Sequence, residues 1–479
     1  MILDIVIIAP LLAALASIFV RTDSLSLERL TLTGSIVSMI GVFAMIPEVL
    51  RTGSYGASDL FSLDALGGIV ALVVAIVSVG MALYSIGYMR QEIRKEIIGF
   101  RRLRQYYVLF DIFLFAMYAA LCATMPILMW IAIEGTTLST ALLVSFYNKP
   151  SAMEAAWKYL ILNSVGLLFG FIGTLLFTLV HHDPSTFLNW QALRLGAATL
   201  DPVIAKIAFA CVLIGYGTKV GLAPLHTWKP DVYSKAPTPI AALFSSSLLS
   251  VAMLALMRFK GIVDISAGPA FSSTLFIFFG MLSLLIAAFL IFSQWNYKRM
   301  LAYSSVEHAG IISLGLGFGG IGTFAALLHL VYHALFKPLL FSAVGNTYLT
   351  YSSTKIARVR GMIRTLPATT ALFFLGVLAA TGVPPFGTFL TEWYIFAAGI
   401  ALHPYLTTLA IMLLAVVFAG LLRHLSAMAF GEVPEGIEPG EHDWRTVAVP
   451  SAFALILLAF GLMIPTSLHE LLTAAASSI

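Results

Sequence analysis

Apolar stretches of about 18–25 residues recur along almost the whole chain, and each is long enough to cross the hydrocarbon core of a bilayer as a helix. About fourteen are expected, near 2–20, 30–49, 66–88, 105–123, 126–147, 154–180, 202–223, 238–259, 271–293, 300–318, 320–344, 368–397 (interrupted), 403–425 and 446–465, with boundaries good to about 2–4 residues. Connections between them are mostly short, and no soluble domain lies between spans. Helices satisfy their own backbone hydrogen bonds in lipid, so the fold class is an all-α polytopic membrane protein. Composition agrees with this. Hydrophobic residues make up 60% and charged residues 10% of the 479, too few charges to clothe a soluble fold of this size.

Other classes drop out on similar grounds. The net charge of +4 comes with no basic tract interleaved with aromatics, so no nucleic-acid partner is expected. Cys122 and Cys211 sit inside apolar runs without CxxC or Cys/His spacing, which argues against a disulfide framework or metal cluster. There is no P-loop, Rossmann fingerprint or iron–sulfur cysteine set, and no cofactor is expected in this chain. The run from Met1 to Val20 lacks the basic region and small-residue cleavage site of a signal peptide and is read as the first span.

Lys and Arg set the orientation, because positively charged loops stay in the cytoplasm. About 19 of the 27 fall on one face, including the runs Arg90 to Arg104 and Lys355 to Arg364, and about five on the other. Both termini are then expected on the periplasmic or external side of a cytoplasmic (inner) membrane. Lys158, Lys219 and Lys337 belong to neither count, since they lie inside or at the edge of spans.

Two spans carry helix-breaking residues. Gly215, Gly217, Gly221 and Pro224 flank Lys219, and Gly382, Pro384, Pro385 and Gly387 precede Glu392. Broken helices at comparable places in two halves suggest an internal repeat, and transporters use such unwound segments to line a polar path at mid-membrane.

The ionisable residues inside spans carry the chemistry. Glu134, in MWIAIEGTTLST, stands where a charge costs at least about 2.5–3.5 kcal/mol. Protonation or a buried cation must offset that cost, and a group able to switch between the two states is a proton carrier. At Lys219, in IGYGTKVGLAPLH, desolvation and an approaching carboxylate favour opposite protonation states, which suits a relay. Lys158, in EAAWKYLIL, is either a relay or a lysine reaching for the interface. His329, His333 and Lys337, in HLVYHALFK, recur at i, i+4 and i+8 and line one stripe of a helix. That stripe suits a proton wire. Two histidines at this spacing also suit a metal, but no third ligand is evident and lysine is a poor companion. His308 follows Glu307 in YSSVEHAG, and because adjacent residues face different directions only one of them need line the path. Glu392, in PPFGTFLTEWYIF, ends the row of carboxylate, lysine, histidine, lysine and carboxylate. Asp111 is a secondary candidate, nearer a cytoplasmic end.

Taken in order, these residues resemble the antiporter-like subunits of respiratory complex I, of multisubunit cation/proton antiporters and of membrane-bound hydrogenases. The resemblance covers most of the chain. Its most specific pieces are KVGLAPLHTWKPDVYSKAPTPIAAL, which looks like the family's lysine-bearing broken helix and following loop, and KRMLAYSSVEHAGII. EGTTLSTALLV with EAAWKYLILNSVG is similar to the component F branch of hydrogenase-4, found in formate hydrogenlyase-type and other group 4 NiFe hydrogenase complexes.

The resemblance implies fourteen core helices with two inverted five-helix repeats. The chain would divide into an N-terminal three-helix segment (1–104), a first repeat (105–259), a second repeat (271–425) and a C-terminal helix segment (426–479). Glu134 matches the family's essential first-half glutamate, Lys219 its broken-helix lysine and Glu392 the position of its second-half terminal carboxylate or lysine. Lys337 and His333 match the second-half relay, with His329 and His308 matching less specifically. There is one departure. The central lysine that the quinone-reductase type carries in the helix after APT is replaced by Ser250, within ALFSSSLLSVAML; a hydroxyl cannot carry that charge, and this argues against an ordinary complex I assignment. Ser245, Ser246, Ser247 and Ser250 could hold water for a wire.

The function implied is a non-redox subunit that moves protons, or sodium ions, and couples their movement to redox chemistry elsewhere. Its partners would be other antiporter-like and anchor subunits in the bilayer, with peripheral NiFe hydrogenase-like and iron–sulfur subunits. The alternatives are a sodium/proton antiporter or other ion-coupled transporter component without a hydrogenase, and a structural scaffold that tethers a peripheral enzyme.

Overall fold

The computed structural model describes residues 1–56, 58–179, 189–441 and 443–479; residue 180, where the sixth expected span ends, lies outside them. Helices begin where Asp, Asn or Pro stands at the end of an apolar run. Asp23, Asp64, Asp201, Asn296 and Asp443 accept hydrogen bonds from first-turn amides. Pro126, Pro202, Pro269, Pro367 and Pro404 occupy first-turn positions, where their missing N–H costs nothing.

The order is α1 Ile2–Phe19, α2 Ser24–Thr52, a hairpin of β1 Ser54–Tyr55 with β2 Leu63–Asp64, α3 Ala65–Arg94, α4 Phe100–Cys122, α5 Pro126–Val144 and α6 Pro150–Leu179. After the short α7 Trp190–Gly196 come α8 Pro202–Val220, α9 Trp228–Lys235, α10 Thr238–Leu243 and α11 Leu249–Ala267. Five residues, Phe244–Leu248, join the last two as a π-helical turn. The rest are α12 Pro269–Phe292, α13 Tyr297–Phe318, α14 Ile321–Tyr351, α15 Met362–Thr365, α16 Pro367–Ala380, α17 Gly387–Leu402, α18 Pro404–Ala429, α19 Trp444–Leu462 and α20 Thr466–Ala476.

Twelve helices among the described residues are long and apolar enough to cross a membrane, counting Thr238–Ala267 as one. The fourteen expected from the sequence include two segments outside that set: α13, which is too polar, and the pair α16 and α17, each too short alone. The chain is a multi-pass helical membrane protein. Thr238–Ala267, α13 and α14 form its interior, while α1, α12, α18 and α19 turn large apolar side chains outward, as lipid-facing helices do.

Two breaks place the polar residues. The first helix stops at Gly221 (φ +76°), and the chain turns through Leu222–Thr227 before α9. Trp228 Nε1 donates to the Thr218 carbonyl at 2.9 Å, fastening α9 to the end of α8. The second break runs from Thr381 to Phe386 between α16 and α17 and contains Gly382 (φ +63°). Both glycines take the left-handed conformation that a side chain would strain. Short helix α9 lies against both α6 and α13, so it sits between the two halves.

Candidate functional site

In the first half, α5 sets Glu134 and Thr137 one turn apart. Thr137 Oγ1 lies 3.3 Å from Glu134 Oε2 and is positioned to donate to it, and Ser164 of α6 donates to Oε1 at 3.1 Å. Lys219, 1% exposed, closes the last turn of α8. Its Nζ donates to Thr137 Oγ1 and to the Tyr159 hydroxyl, each at 2.8 Å, and stands 5.0 Å from the Tyr159 ring centroid. Glu134 and Lys219 are therefore bridged by one hydroxyl rather than in direct contact. A threonine oxygen that accepts from an ammonium and donates to a carboxylate can pass a proton between them.

The second half holds a longer row. Lys337, fully buried on α14, donates to Ser304 Oγ at 3.0 Å and to the Leu301 carbonyl at 3.2 Å. Glu307 on α13 lies within electrostatic reach of that ammonium. His308 Nε2 is 3.8 Å from Glu307 Oε2, His308 Nδ1 is 3.0 Å from His329 Nε2, and His329 Nδ1 is 2.8 Å from Thr391 Oγ1. Thr391 precedes Glu392 on α17. Ligand atoms of His308, His329 and Glu392 all lie within 4.8 Å of one another. Two of those nitrogens already share a hydrogen bond, the arrangement a proton relay needs, and Glu392 is the third ligand type that the spacing of His329 and His333 alone did not reveal. His333 lies 5.4 Å from His308, ring to ring, and neither of its nitrogens has a hydrogen-bond partner among the described residues.

The other sequence candidates lie elsewhere. Lys158 is 49% exposed and pairs with Glu154 at 2.6 Å and Asp231 at 3.5 Å, on a surface cluster that also holds Arg299. Asp111 is buried against α2, where Thr31 donates to it at 2.7 Å, and it does not join the row. Ser250 donates to the Ser246 carbonyl and Ser246 to the Ala242 carbonyl, so both hydroxyl protons are engaged within their own helix. Ser245 reaches Ser305 of α13 at 2.8 Å.

Several polar residues escaped the sequence reading. Glu307 and His308 both face the row, where one was thought sufficient, because α13 is enclosed on every side and each direction meets a protein neighbour. Buried Glu92 accepts from Tyr147 at 2.6 Å, although it sits in a stretch read as a basic cytoplasmic loop. Lys229 and His226 are also buried; their positions after a helix break made them look like loop residues.

Comparison with known proteins identifies the family. A family model described as NADH:quinone oxidoreductase/Mrp antiporter, transmembrane, matches residues 123–419, and one for the N-terminus of NADH-ubiquinone oxidoreductase (complex I) chain 5 matches 50–96. A hydrogenase-4 component F homolog of Methylacidiphilum infernorum is 35% identical, over 91% of each chain. Hydrogenase-4 component B of Escherichia coli is 27% identical over 80% of this chain and 59% of its own. Among solved structures, a chain of the archaeal membrane-bound sulfane sulfur reductase superposes with a TM-score of 0.87 at 23% identity, covering 100% of this chain and 96% of that one. A chain of the Mrp complex from Dietzia does so at 0.84 with 20% identity, covering 99% and 95%. This chain belongs to the antiporter-like membrane subunit family shared by complex I, Mrp antiporters and hydrogenase-4, and is a homologue of hydrogenase-4 component F.

Proposed function

We propose that the chain is the proton-translocating, non-redox subunit of a membrane-bound oxidoreductase of the hydrogenase-4 or formate hydrogenlyase kind. The observation that carries this is the row from buried Lys337 through buried His308 and His329 to Thr391 and the half-buried Glu392, matched in the first half by half-buried Glu134 with Thr137 and Lys219. Such side chains are costly in an apolar interior and are kept where their changing charge does work. In this reading, a charge change at one member shifts the proton affinity of the next, so that redox events in partner subunits gate ion release laterally. The partners are other antiporter-like and anchor subunits, with peripheral NiFe hydrogenase-like and iron–sulfur subunits on the cytoplasmic face. Residues 105–259 and 271–425 form two inverted repeats, each with a break at a left-handed glycine, and both termini face the periplasm or exterior of a cytoplasmic membrane.

The family description also names Mrp antiporters, which favours a second reading as a sodium/proton antiporter component. Subunits that co-purify from native membranes separate the two. A NiFe large subunit supports the first reading, and a set of antiporter subunits without redox partners supports the second. In vesicles holding the whole complex, Glu134→Gln abolishes ion movement under either; unchanged movement points to a scaffold instead.

A further inference from the structure

Lys229 has no place in the row described above, yet it is 1% exposed. Its ammonium has no hydrogen-bond partner among the described residues, the Tyr233 ring centroid lies 6.0 Å from it, and its electrostatic neighbours include Lys337, His226 and His333, none of them an anion. As a packing element this choice is poor. An uncompensated buried charge costs several kcal/mol, and a methionine would fill the same space without it.

Its position explains the residue better. The Lys229 stem folds back over Gly221, two residues past Lys219: a Cβ built on that glycine would lie 2.5 Å from Lys229 Cδ and Cε and 3.0 Å from Nζ. The second break repeats the arrangement, with the Glu392 carboxyl over Gly382, where a Cβ would lie 2.2 Å from Oε2. Each left-handed glycine thus clears room for an ionisable side chain reaching back from the helix that follows. Helix α9 meets α6, which carries Tyr159, and α13, which carries Glu307. Meanwhile Ser246 and Ser250 of the central helix bond to their own backbone, while Ser245 reaches Ser305 of α13.

We propose that Lys229 is the proton-carrying link between the two halves, receiving charge from the Lys219 side of the first break and handing it to the His333 and Lys337 side of the second half. The step is a proton transfer alone: one N–H bond forms as another breaks, and no electron moves. The proposal rests on the proton-pumping reading above, and its test is arranged so that the two fail separately.

The test uses the complex purified from native membranes and inserted into vesicles. Lumenal pH is followed by dye quenching, electron transfer by a separate redox assay, and subunit content on a native gel. Lys229→Met assembles and keeps electron transfer, while coupled proton movement falls by about tenfold or more, in the range for removing a positioned acid–base group. Lys229→Arg keeps the charge on a similarly long side chain but holds its proton, and it loses proton movement too. A structural cation would be rescued by arginine, so wild-type coupling in Lys229→Arg overturns the proposal even if Lys229→Met fails to assemble. Glu134→Gln and Lys219→Ala run in parallel. If they lose coupling while Lys229→Met keeps it, the link is refuted and the pump reading stands; if all variants keep it, both fall.

Discussion

The Thr137 hydroxyl is the smallest unit on which the first half depends. It accepts from Lys219 Nζ and faces the Glu134 carboxyl, so the lysine and the carboxylate communicate through one oxygen. Thr137→Val removes that oxygen and little volume. Hydrogen bonds to charged groups contribute about 1.5–3 kcal/mol, and Tyr159 remains as a second partner, so the expected loss of stability is at the low end of that range. Proton movement in vesicles is expected to fall much more than the melting temperature, and Thr137→Ser to restore it. Equal proton movement in the valine and wild-type proteins would remove the hydroxyl from the path. Glu134, Lys219, His329, His333, Lys337 and Glu392 were all legible in the sequence, because each interrupts an otherwise apolar run where a charge is costly. Lys229 and Glu92 were not, because their local sequence is polar enough to pass for a connection. Their burial depends on where α9 and the end of α3 are packed, which no local pattern encodes.

At the scale of helices, the sequence marked both breaks through their Gly and Pro content but not what the breaks bring together. Periodicity also gave no sign of the π-helical turn at Phe244–Leu248, which departs from regular winding in a uniformly buried helix. The contact between α6 and α8 holds Lys219 against Tyr159, and the two backbones pass close together where Gly215 meets Gly170. A Cβ on Gly215 would lie 2.3 Å from the Gly170 nitrogen and 2.4 Å from its Cα. Backbone cannot swing aside, so Gly215→Ala must spread the two helices. Alanine gains up to about 1 kcal/mol of helix propensity, but overpacking of this kind costs about 1–3 kcal/mol, and the clash wins. Gly217 makes the control on the same helix, since its added Cβ would meet only side-chain carbons at 3.7 and 3.8 Å. Melting in detergent should show Gly215→Ala clearly destabilised and Gly217→Ala within about 1 kcal/mol of wild type. The reverse order would mean that α6 and α8 do not meet along this line.

Across the whole molecule, the central helix is tied to the N-terminal segment at the face opposite the basic loops. Arg258 of α11 holds Asp64, the residue that caps α3, through two hydrogen bonds of 2.7 and 2.9 Å. Arg258 also stands 5.3 Å from the Trp190 ring of α7. Burial works against the Asp64 carboxylate, but the Arg258 charge, its hydrogen bonds and the Gly67 amide outweigh that, so the carboxyl is held below its usual value of 3.8. A carboxyl more acidic in the folded than in the unfolded chain stabilises the fold fully above the unfolded value, near about 3.9, and loses that contribution as pH falls through the lower folded value. Many carboxyls titrate in the same window, so the informative quantity is the difference between wild type and Asp64→Asn. The asparagine keeps an acceptor for the cap but has no charge for Arg258. Wild type is expected to melt higher at neutral pH, with the gap narrowing as the medium is acidified below about pH 4. Thermal unfolding of the two proteins between neutral pH and pH 3 reads this directly. Parallel curves would mean that Asp64 and Arg258 are not paired in solution, leaving α11 and α3 joined at that end by apolar packing alone.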